Sequence, residues 1–420
     1  MTQSFDLIIR NARLRRQPAA LVDIGLAGGK IAAIEASLAG QTALELEVQG
    51  NLVTESFVNP HLHLCKVYTL AMMDDAAMKN YHGAEMGKAM NAIELAAQVK
   101  AQYDERWIIK NVRRAVARAA QYGNTHIRAF ADVDRQARLE GVKALLRARE
   151  EFSGLVDLQV VAFAQDGLVR EPGAFELLRQ AMELGADVVG GIPWIEYTEA
   201  AMAEHVRLVF DLAEAFDKPV SMLVDDAGDP GLRSLELMAV ETIKRGWQGR
   251  VLAHHARAMA LYPRPYLQKL MALMKKAELG LVSDPHTGPL HAPIRDLLAE
   301  GVLVCLGQDD ISDAYYPFGR NNMLEVAFLV SHLLWLTGQD EMESLYDLIT
   351  TQAAQAMGLA DFTLQVGAPA HLVVLAAPDI LEALRDHAAP RYVVSHGRLI
   401  DQDRLAPVQR TGEWAELSRP

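Results

Sequence analysis

Two histidines one residue apart, His61 and His63, end an apolar run in the stretch "FVNPHLHLCK" (residues 57–66). Side chains at positions i and i+2 of a β-strand project from the same face, so both imidazoles can reach one ligand. Such a pair is able to hold a divalent metal ion, although two surface histidines would show the same spacing. A metal site needs further ligands and a group that transfers protons, so the rest of the chain decides between these interpretations.

The segments around this pair alternate between apolar, β-rich runs and amphipathic helical stretches. The runs are "NLVTESFVNP", "THIRAFADV", "LQVVAFAQ", "DVVGGIP", "KPVSMLVDD", "RVLAHHA", "LGLVSDP" and "VLVCLGQDD". Near-continuous apolar strands, each followed by a helix, are typical of parallel strands buried on both faces. We therefore predict an α/β fold with a (β/α)8 TIM-like barrel over residues 57–364. Strand-like runs at both termini predict a small discontinuous β-sandwich domain from residues 1–56 and 365–420.

The active site of such a barrel lies at the C-terminal ends of its strands. Imidazole, amide and acidic side chains collect after most of the predicted strands: His61, His63, Asp132, Gln165, Asp225, Asp226, His254, His255, Asp284, His286, Asp309 and Asp310. This distribution favours the metal-site interpretation of the first histidine pair.

Composition excludes several classes of partner. The net charge of −13 and the pI near 5.5 disfavour a nucleic acid or an anionic membrane, which would attract a basic surface. Two cysteines cannot build a disulfide framework or a thiolate zinc cluster. No signal-peptide pattern or membrane-spanning run stands out, so we expect a cytoplasmic protein with a small-molecule substrate.

Several long motifs occur in a recognisable order along nearly the whole chain. They are "DLIIRNARL", "PHLHL", "DLQVVAFAQDG", "GADVVGGIP", "GRVLAHHA", "CLGQDDISDAYYPFGRNNML" and "GAPAHLVVL". In these motifs the chain resembles the amidohydrolase superfamily, in its branch of cytosine deaminases and N-isopropylammelide isopropyl amidohydrolases. The resemblance implies a homo-oligomeric, metal-dependent hydrolase.

The same resemblance implies roles for individual residues. The metal ligands would be His61, His63 and Asp309, with His255 as a possible further ligand. The catalytic groups would be Asp226, which transfers a proton, together with His255 and Asp309. The substrate-binding residues would be Gln165, Asp310 and Lys66.

These groups can perform one kind of chemistry together. A divalent cation held by imidazoles and a carboxylate lowers the pKa of bound water from about 15.7 to about 7, and zinc or iron suits such ligands. We predict a deaminase or aminohydrolase that attacks a non-peptide C–N bond of a small nitrogen heterocycle, such as a pyrimidine or triazine, through metal-bound hydroxide. The alternatives are a hydrolase that opens a cyclic amide or imide and a catalytically silent relative that binds a small ligand.

Three positions depart from the family pattern. Leu223 stands where the family has a strand-five histidine ligand, Phe130 replaces a pocket histidine, and Cys65 stands where an aspartate is usual. The expected consequence is a more apolar pocket and weaker metal binding. Because side chains alternate along a strand, at most one of the neighbours His254 and His255 should face the barrel centre. A twisted or bulged strand would let His254 replace the ligand that is lost at Leu223.

Ordinary structural roles remain open for several of these residues. Asp226 could cap the helix that follows it, and so could the pair Asp309 and Asp310. Gln165 could be an ordinary hydrogen-bonding residue of a loop. His286 and His291 lie on a predicted loop over the barrel mouth. The methionine-rich segment 70–90 is either a lid or a helical excursion.

Overall fold

The computed structural model describes residues 3–42, 44–73 and 96–414. Short strands come first in this part of the chain: β1 (Gln3–Phe5), β2 (Leu7–Leu14), β3 (Gln17–Ala27), β4 (Lys30–Glu35), β5 (Gly40–Thr42), β6 (Glu45–Glu47) and β7 (Leu52–Glu55). The barrel strands follow: β8 (Phe57–Leu62), β9 (Asn124–Asp132), β10 (Asp157–Phe163), β11 (Val188–Gly191), β12 (Val220–Val224), β13 (Val251–His255), β14 (Gly280–Ser283) and β15 (Val304–Leu306). Three late strands are β16 (Leu372–Val374), β17 (Tyr392–Ser395) and β18 (Arg398–Leu399).

The predicted (β/α)8 barrel is confirmed. Strands β8 to β15 are parallel and follow one another around the sheet in chain order. A bridge between Leu62 and Asp309 brings the two ends of this sheet together. Every residue of β8, β9, β12 and β13 is buried, as expected for strands with the barrel interior on one face and helices on the other.

The first predicted strand divides between two sheets. The run "NLVTESFVNP" becomes β7, which lies outside the barrel, and β8, which begins it. Ser56 separates them, and its backbone N–H donates to the carbonyl of His371, 3.0 Å away. The chain therefore leaves one sheet and enters the other without a loop.

A second sheet unites both ends of the chain, as predicted. Its strand order is β18-β17-β16-β7-β2-β3-β4, with β6 paired to β2, while β1 and β5 form a separate pair. The late strand β16 runs antiparallel to the early strand β7, with Leu372 opposite Glu55. Alternating buried positions of β2, including Ile9 and Leu14, pack with Val374 and Val394 into the apolar core of this sheet.

Helices cover the outside of the barrel and the C-terminal region. They are α1 (Glu105–Gln121), α2 (Glu140–Glu151), α3 (Ala174–Glu183), α4 (Glu199–Phe216), α5 (Ser234–Arg245), α6 (Arg264–Lys276), α7 (Ile294–Ala299), α8 (Met323–Leu333), α9 (Gln339–Asp347), α10 (Thr351–Ala356), α11 (Ile380–Asp386) and α12 (Gln402–Thr411). Polar side chains fix several starts: the side chain of Thr198 accepts from the N–H of Ala201 at α4, and Asn322 accepts from Glu325 at α8. Among the described residues, no helix is both long and apolar enough to span a membrane.

The last helix, α12, packs against the barrel helix α1. The side-chain amide of Gln409 donates to the carbonyl of Ala117 at 3.2 Å, and Arg113 donates to the carbonyl of Gly412 at 3.3 Å. The ring of Trp414 then lies 4.5 Å from that of Phe152. The end of the described chain thus packs against the helices outside the barrel.

Candidate active site

Four buried side chains converge where β8, β13 and β15 end. One potential ligand atom from each of His61, His63, His255 and Asp309 lies within 4.8 Å of the others. Oδ1 of Asp309 is 3.1 Å from Nε2 of His61, 3.9 Å from Nε2 of His63 and 3.7 Å from Nε2 of His255. The structure therefore brings together all four residues for which the sequence suggested metal binding.

The backbone at the barrel seam fixes this geometry. The N–H of Asp309 donates to the carbonyl of His61 at 2.9 Å, and the N–H of His63 donates to the carbonyl of Asp309 at 2.8 Å. The side-chain carbonyl of Asn59 accepts from the N–H groups of His61 and Gln308, so it also joins the first and last strands. Asp309 has a φ of +68°, an unfavourable value for a non-glycine residue that these contacts hold in place.

The donor set fits a divalent cation. Three imidazole nitrogens and one carboxylate oxygen are ligands that zinc and iron both accept. Burial lowers the pKa of His61, and lowers those of His63 and His255 well below their usual range, so neutral imidazoles with a free lone pair prevail at pH 7. The exposed fraction of all four residues is at most 4%.

Both neighbours on β13 face the interior, so the prediction that at most one does is wrong. The ring centroids of His254 and His255 lie 4.6 and 4.9 Å from that of His61. Alternation stops because His255 has a φ of +65° and Ala256 a φ of +47°, which turns the chain as the strand ends. His254 is not one of the four residues whose ligand atoms converge in the described chain, so it does not replace the missing strand-five ligand there.

An apolar wall stands at position 223, where the family resemblance predicts a histidine ligand on the fifth barrel strand. Leu223 is 3% exposed and packs with Phe130 and Phe163. It pairs in register with His254 on the neighbouring strand. The ring of Phe130 lies 4.5 Å from that of His61, so the wall directly borders the cluster.

Adjacent aspartates after β12 have different roles. Asp225 accepts from the N–H and hydroxyl of Ser234 at 2.7 and 2.6 Å and from the hydroxyl of Tyr262 at 2.6 Å. The helix-cap interpretation proposed for Asp226 therefore applies to Asp225, at the start of α5. Asp226 instead lies 3.4 Å from Nε of Arg257, which also reaches the metal-ligand cluster.

Burial raises the pKa of Asp226 to about 7, although the charge of Arg257 opposes this shift. The side chain of Asp226 is 15% exposed, so it has access to solvent or to a bound molecule. A carboxyl group with this pKa can both accept and donate a proton near neutral pH.

A second polar group lies at the ends of β8, β10 and β15. Nζ of Lys66 donates to Oε1 of Gln165 at 3.2 Å and lies 3.8 Å from Oδ1 of Asp310. The same ammonium stands 4.1 Å from the ring centroid of Tyr315. The structure thus groups all three residues for which the sequence suggested substrate binding. Asp309 and Asp310 do not cap the following helix, because α8 begins at Met323 and is capped by Asn322.

Two residues of this region were missed at the sequence level. Arg257 follows the histidine pair by two positions, and its Nη2 donates to the hydroxyl of Thr287 at 2.7 Å. The Thr287 hydroxyl also lies 2.7 Å from Oδ2 of Asp309. Neither residue lies in a recognisable motif, since an arginine or threonine in a loop does not reveal which way it points.

The remaining candidates have less direct relations to the cluster. His286 lies 5.6 Å from Tyr316 between ring centroids, and Nδ1 of His291 contacts the carbonyl of Ala292. Burial raises the pKa of the Cys65 thiol, which makes this residue a poor nucleophile. Most of the methionine-rich segment, residues 74–90, lies outside the described residues.

Comparison with known proteins gives consistent matches. The sequence model described as "Amidohydrolase family" matches residues 47–401. N-isopropylammelide isopropyl amidohydrolase from Pseudomonas sp. (strain ADP) is 31% identical over 408 residues, which cover 96% of this chain and 99% of the relative.

Solved structures show the same similarity in three dimensions. The 5-methylcytosine deaminase from Klebsiella pneumoniae liganded with 5-fluorocytosine has a TM-score of 0.86 and 33% identity, covering 94% of this chain and 97% of its own. N-isopropylammelide isopropylaminohydrolase from Burkholderia multivorans ATCC 17616 has a TM-score of 0.81 and 27% identity over 94% and 97% of the two chains.

Proposed function

The chain belongs to the amidohydrolase family, and from this premise we propose that it hydrolyses a non-peptide C–N bond of a small nitrogen heterocycle. The observation that carries the proposal is the convergence of three histidines and Asp309 beside a carboxyl group that is able to transfer protons. Its relatives include enzymes named for ammelide and cytosine substrates, which are heterocycles of this kind.

His61, His63 and Asp309 would hold the metal ion, and His255 lies within reach of the same position. When bound, a divalent cation lowers the pKa of water from about 15.7 to about 7 and stabilises negative charge that develops on the substrate. Zinc and iron are the ions that we propose, because both accept imidazole and carboxylate ligands together.

The proton would be moved by Asp226. Water adds its oxygen to the ring carbon while Asp226 takes one proton, and Asp226 then gives that proton to the departing nitrogen. As the C–N bond breaks, the remaining proton of the added hydroxyl group moves to the neighbouring ring nitrogen. The products are a ring carbonyl beside a ring N–H, and ammonia or an amine. In the metal-free protein burial raises the pKa of Asp226 to about 7, and a bound cation together with Arg257 would favour the carboxylate form that accepts the proton first.

Substrate orientation would come from Lys66 and Gln165. The amide of Gln165 offers both a donor and an acceptor to ring nitrogens or carbonyl groups, and the ammonium of Lys66 stabilises electron-rich substituents. Their mutual hydrogen bond of 3.2 Å holds both groups in place before substrate arrives. Because a buried polar group is costly to leave unpaired, this arrangement selects heterocycles that carry matching polar edges.

The test is a search for released ammonia or amine. Purified protein supplied with zinc or iron(II) is incubated with aminopyrimidines and amino- or N-alkylaminotriazines, and each product is weighed by mass spectrometry. We expect exchange of an amino group for oxygen with at least one of these heterocycles.

Matched variants separate the site from nonspecific effects. His63→Ala should abolish release, whereas His332→Ala, which changes an exposed histidine, should leave it intact. A ring-opened product without amine release would establish the cyclic-amide alternative instead. Binding without turnover in the metal-supplied protein would establish the silent-relative alternative.

A further inference from the structure

Arg257 makes polar contacts with several groups around the metal-ligand cluster. Its Nη2 lies 3.2 Å from Nδ1 of His255, 2.7 Å from the hydroxyl of Thr287 and 3.7 Å from Oδ2 of Asp309, and its Nε lies 3.4 Å from Oδ1 of Asp226. The residue is 8% exposed.

A glycine makes room for this guanidinium. A Cβ at Gly288 would stand 2.8 Å from Nη1 of Arg257, closer than non-bonded atoms approach. The loop after β14 therefore accommodates Arg257 in this position and supplies Thr287 to hold it.

The hydrogen bond between Arg257 and His255 determines which nitrogen of the imidazole carries hydrogen. A guanidinium has donors only, so Nδ1 of His255 must be the acceptor. An imidazole whose Nδ1 accepts a hydrogen bond carries its hydrogen on Nε2. The nitrogen that faces Asp309 is then an N–H donor and has no lone pair for a metal ion.

A second neighbour, Asp284, would favour the opposite tautomer in its ionised form. Burial raises the pKa of this carboxyl well above its usual range, and a bound divalent cation would favour the ionised form. Oδ2 of Asp284 lies 3.5 Å from the same Nδ1. If Asp284 accepted a hydrogen from Nδ1, Nε2 would keep its lone pair, which is the usual arrangement of a metal-ligating histidine supported by a carboxylate. Arg257 and Asp284 thus compete for one atom, and Arg257 is the closer of the two.

We propose that Arg257 is a positioning residue that holds His255 as an Nε2–H donor and keeps it out of the coordination sphere. The metal ion would then have three protein ligands, His61, His63 and Asp309. His255 would instead offer a hydrogen bond to the oxygen of the attacking water or of the substrate. This inference rests on the proposed function, because it concerns the metal ion of the same site.

The decisive variant is Arg257→Met, which removes the donor to Nδ1. Asp284 should then select the other tautomer, His255 should become a fourth ligand, and zinc affinity measured by chelator competition should rise about tenfold or more, a typical size for changes around metal ligands. The visible spectrum of the cobalt(II)-substituted protein should shift, because a nitrogen ligand has been added. In the double variant Arg257→Met/His255→Ala, both changes should disappear.

Three comparisons complete the experiment. His255→Ala alone should leave zinc affinity nearly unchanged, Arg257→Lys should retain wild-type affinity through a second donor-only side chain, and Arg264→Met should have no effect. Arg264 is a suitable control because it loses the same charge at an exposed ion pair with Asp296. Thermal unfolding of the metal-free proteins shows whether each variant is folded.

The inference is overturned if folded Arg257→Met has wild-type zinc affinity and cobalt spectrum, or if His255→Ala weakens zinc as much as His63→Ala. Failure of the proposed function looks different: wild type would then bind zinc without turning over any heterocycle. If wild type bound no zinc at all, both the inference and the proposed function would be wrong.

Discussion

Replacing Leu223 by histidine should add the strand-five ligand that the family resemblance leads us to expect. Leu223 is 3% exposed in an apolar wall, and its register partner His254 lies 4.6 Å from His61 between ring centroids. Leu223→His should therefore place a new imidazole beside the metal-ligand cluster. We expect it to destabilise the metal-free protein and to bind zinc more tightly than wild type does.

The destabilisation of the metal-free protein and the stabilisation by bound zinc have opposite signs, and the magnitude of each can be calculated. Loss of a buried leucine costs about 1.5–3 kcal/mol, and a buried imidazole without a partner costs about 1–3 kcal/mol more. The metal-free variant should thus lose roughly 4 kcal/mol of unfolding free energy. At a free zinc concentration about 100 times the wild-type Kd, wild type gains about 2.7 kcal/mol. A variant that binds zinc about 100-fold more tightly gains about 5.5 kcal/mol, since each tenfold is about 1.4 kcal/mol. Zinc should therefore reduce the deficit to roughly 1 kcal/mol.

Urea unfolding with a chelator and with buffered zinc measures both terms. Met222→His is the matched control, because Met222 is also buried on β12 but packs into the core between barrel and helices. It should lose comparable stability and gain nothing from added zinc beyond the wild-type increment. If zinc stabilised Leu223→His no more than it stabilises Met222→His, position 223 would not face the metal site.

Two further predictions concern the adjacent aspartates. Asp226→Asn should lower kcat about 10²–10⁴-fold, because it removes the group proposed to transfer protons. Burial raises the folded-state pKa of Asp226 to about 7, above its unfolded value near 3.9, so wild-type stability falls as pH rises from about 4 to about 7. In the metal-free protein, Asp226→Asn should remove this pH-dependent loss of unfolding free energy, which is at most about 4 kcal/mol. If the unfolding free energies of wild type and variant changed with pH in parallel, the pKa of Asp226 would not be raised. Asp225→Ala should cost about 2–4 kcal/mol, because the start of α5 loses its cap and the hydroxyl of Tyr262 keeps only its contact with the carbonyl of Leu232. Zinc affinity should stay within twofold of wild type, and a loss of zinc binding would contradict the structural role.

The barrel could be predicted because buried parallel strands produce a local signal. Each of the eight strands is a short apolar run followed by a helix, and this pattern does not depend on distant contacts. Where two strands adjoin without a loop, the signal fails: the run through Ser56 reads as one strand but serves two sheets. Their partner strands distinguish them, because β7 pairs with β2 and β16 whereas β8 pairs with β9.

The metal-ligand cluster could be anticipated because its members follow strand ends in a barrel. The sequence could not predict which way a side chain points at the end of a strand, where the backbone leaves the extended conformation. The positive φ of His255 turns its ring to the same interior as that of His254, contrary to simple alternation. Likewise, nothing in "VDD" distinguishes the cap Asp225 from its neighbour Asp226.

Arg257 illustrates the same limit of local pattern. Its position in "HHARAM" predicts neither burial nor contact, because its partners lie in the segments that follow β12, β14 and β15. These contacts exist only once the barrel has closed. Residues that support a site from separate strands are therefore the part that sequence reasoning finds last.

We propose that His61, His63 and Asp309 hold a divalent metal ion between the first and last barrel strands. Quantifying metal in purified protein after supply of zinc or iron(II) and removal of the excess tests it directly. We expect one ion per chain in wild type and almost none in His61→Ala or Asp309→Ala, with His291→Ala retaining the ion as a control. If wild type retained no metal at any supplied concentration, or if the ligand variants retained as much as wild type, these residues would not form a metal site.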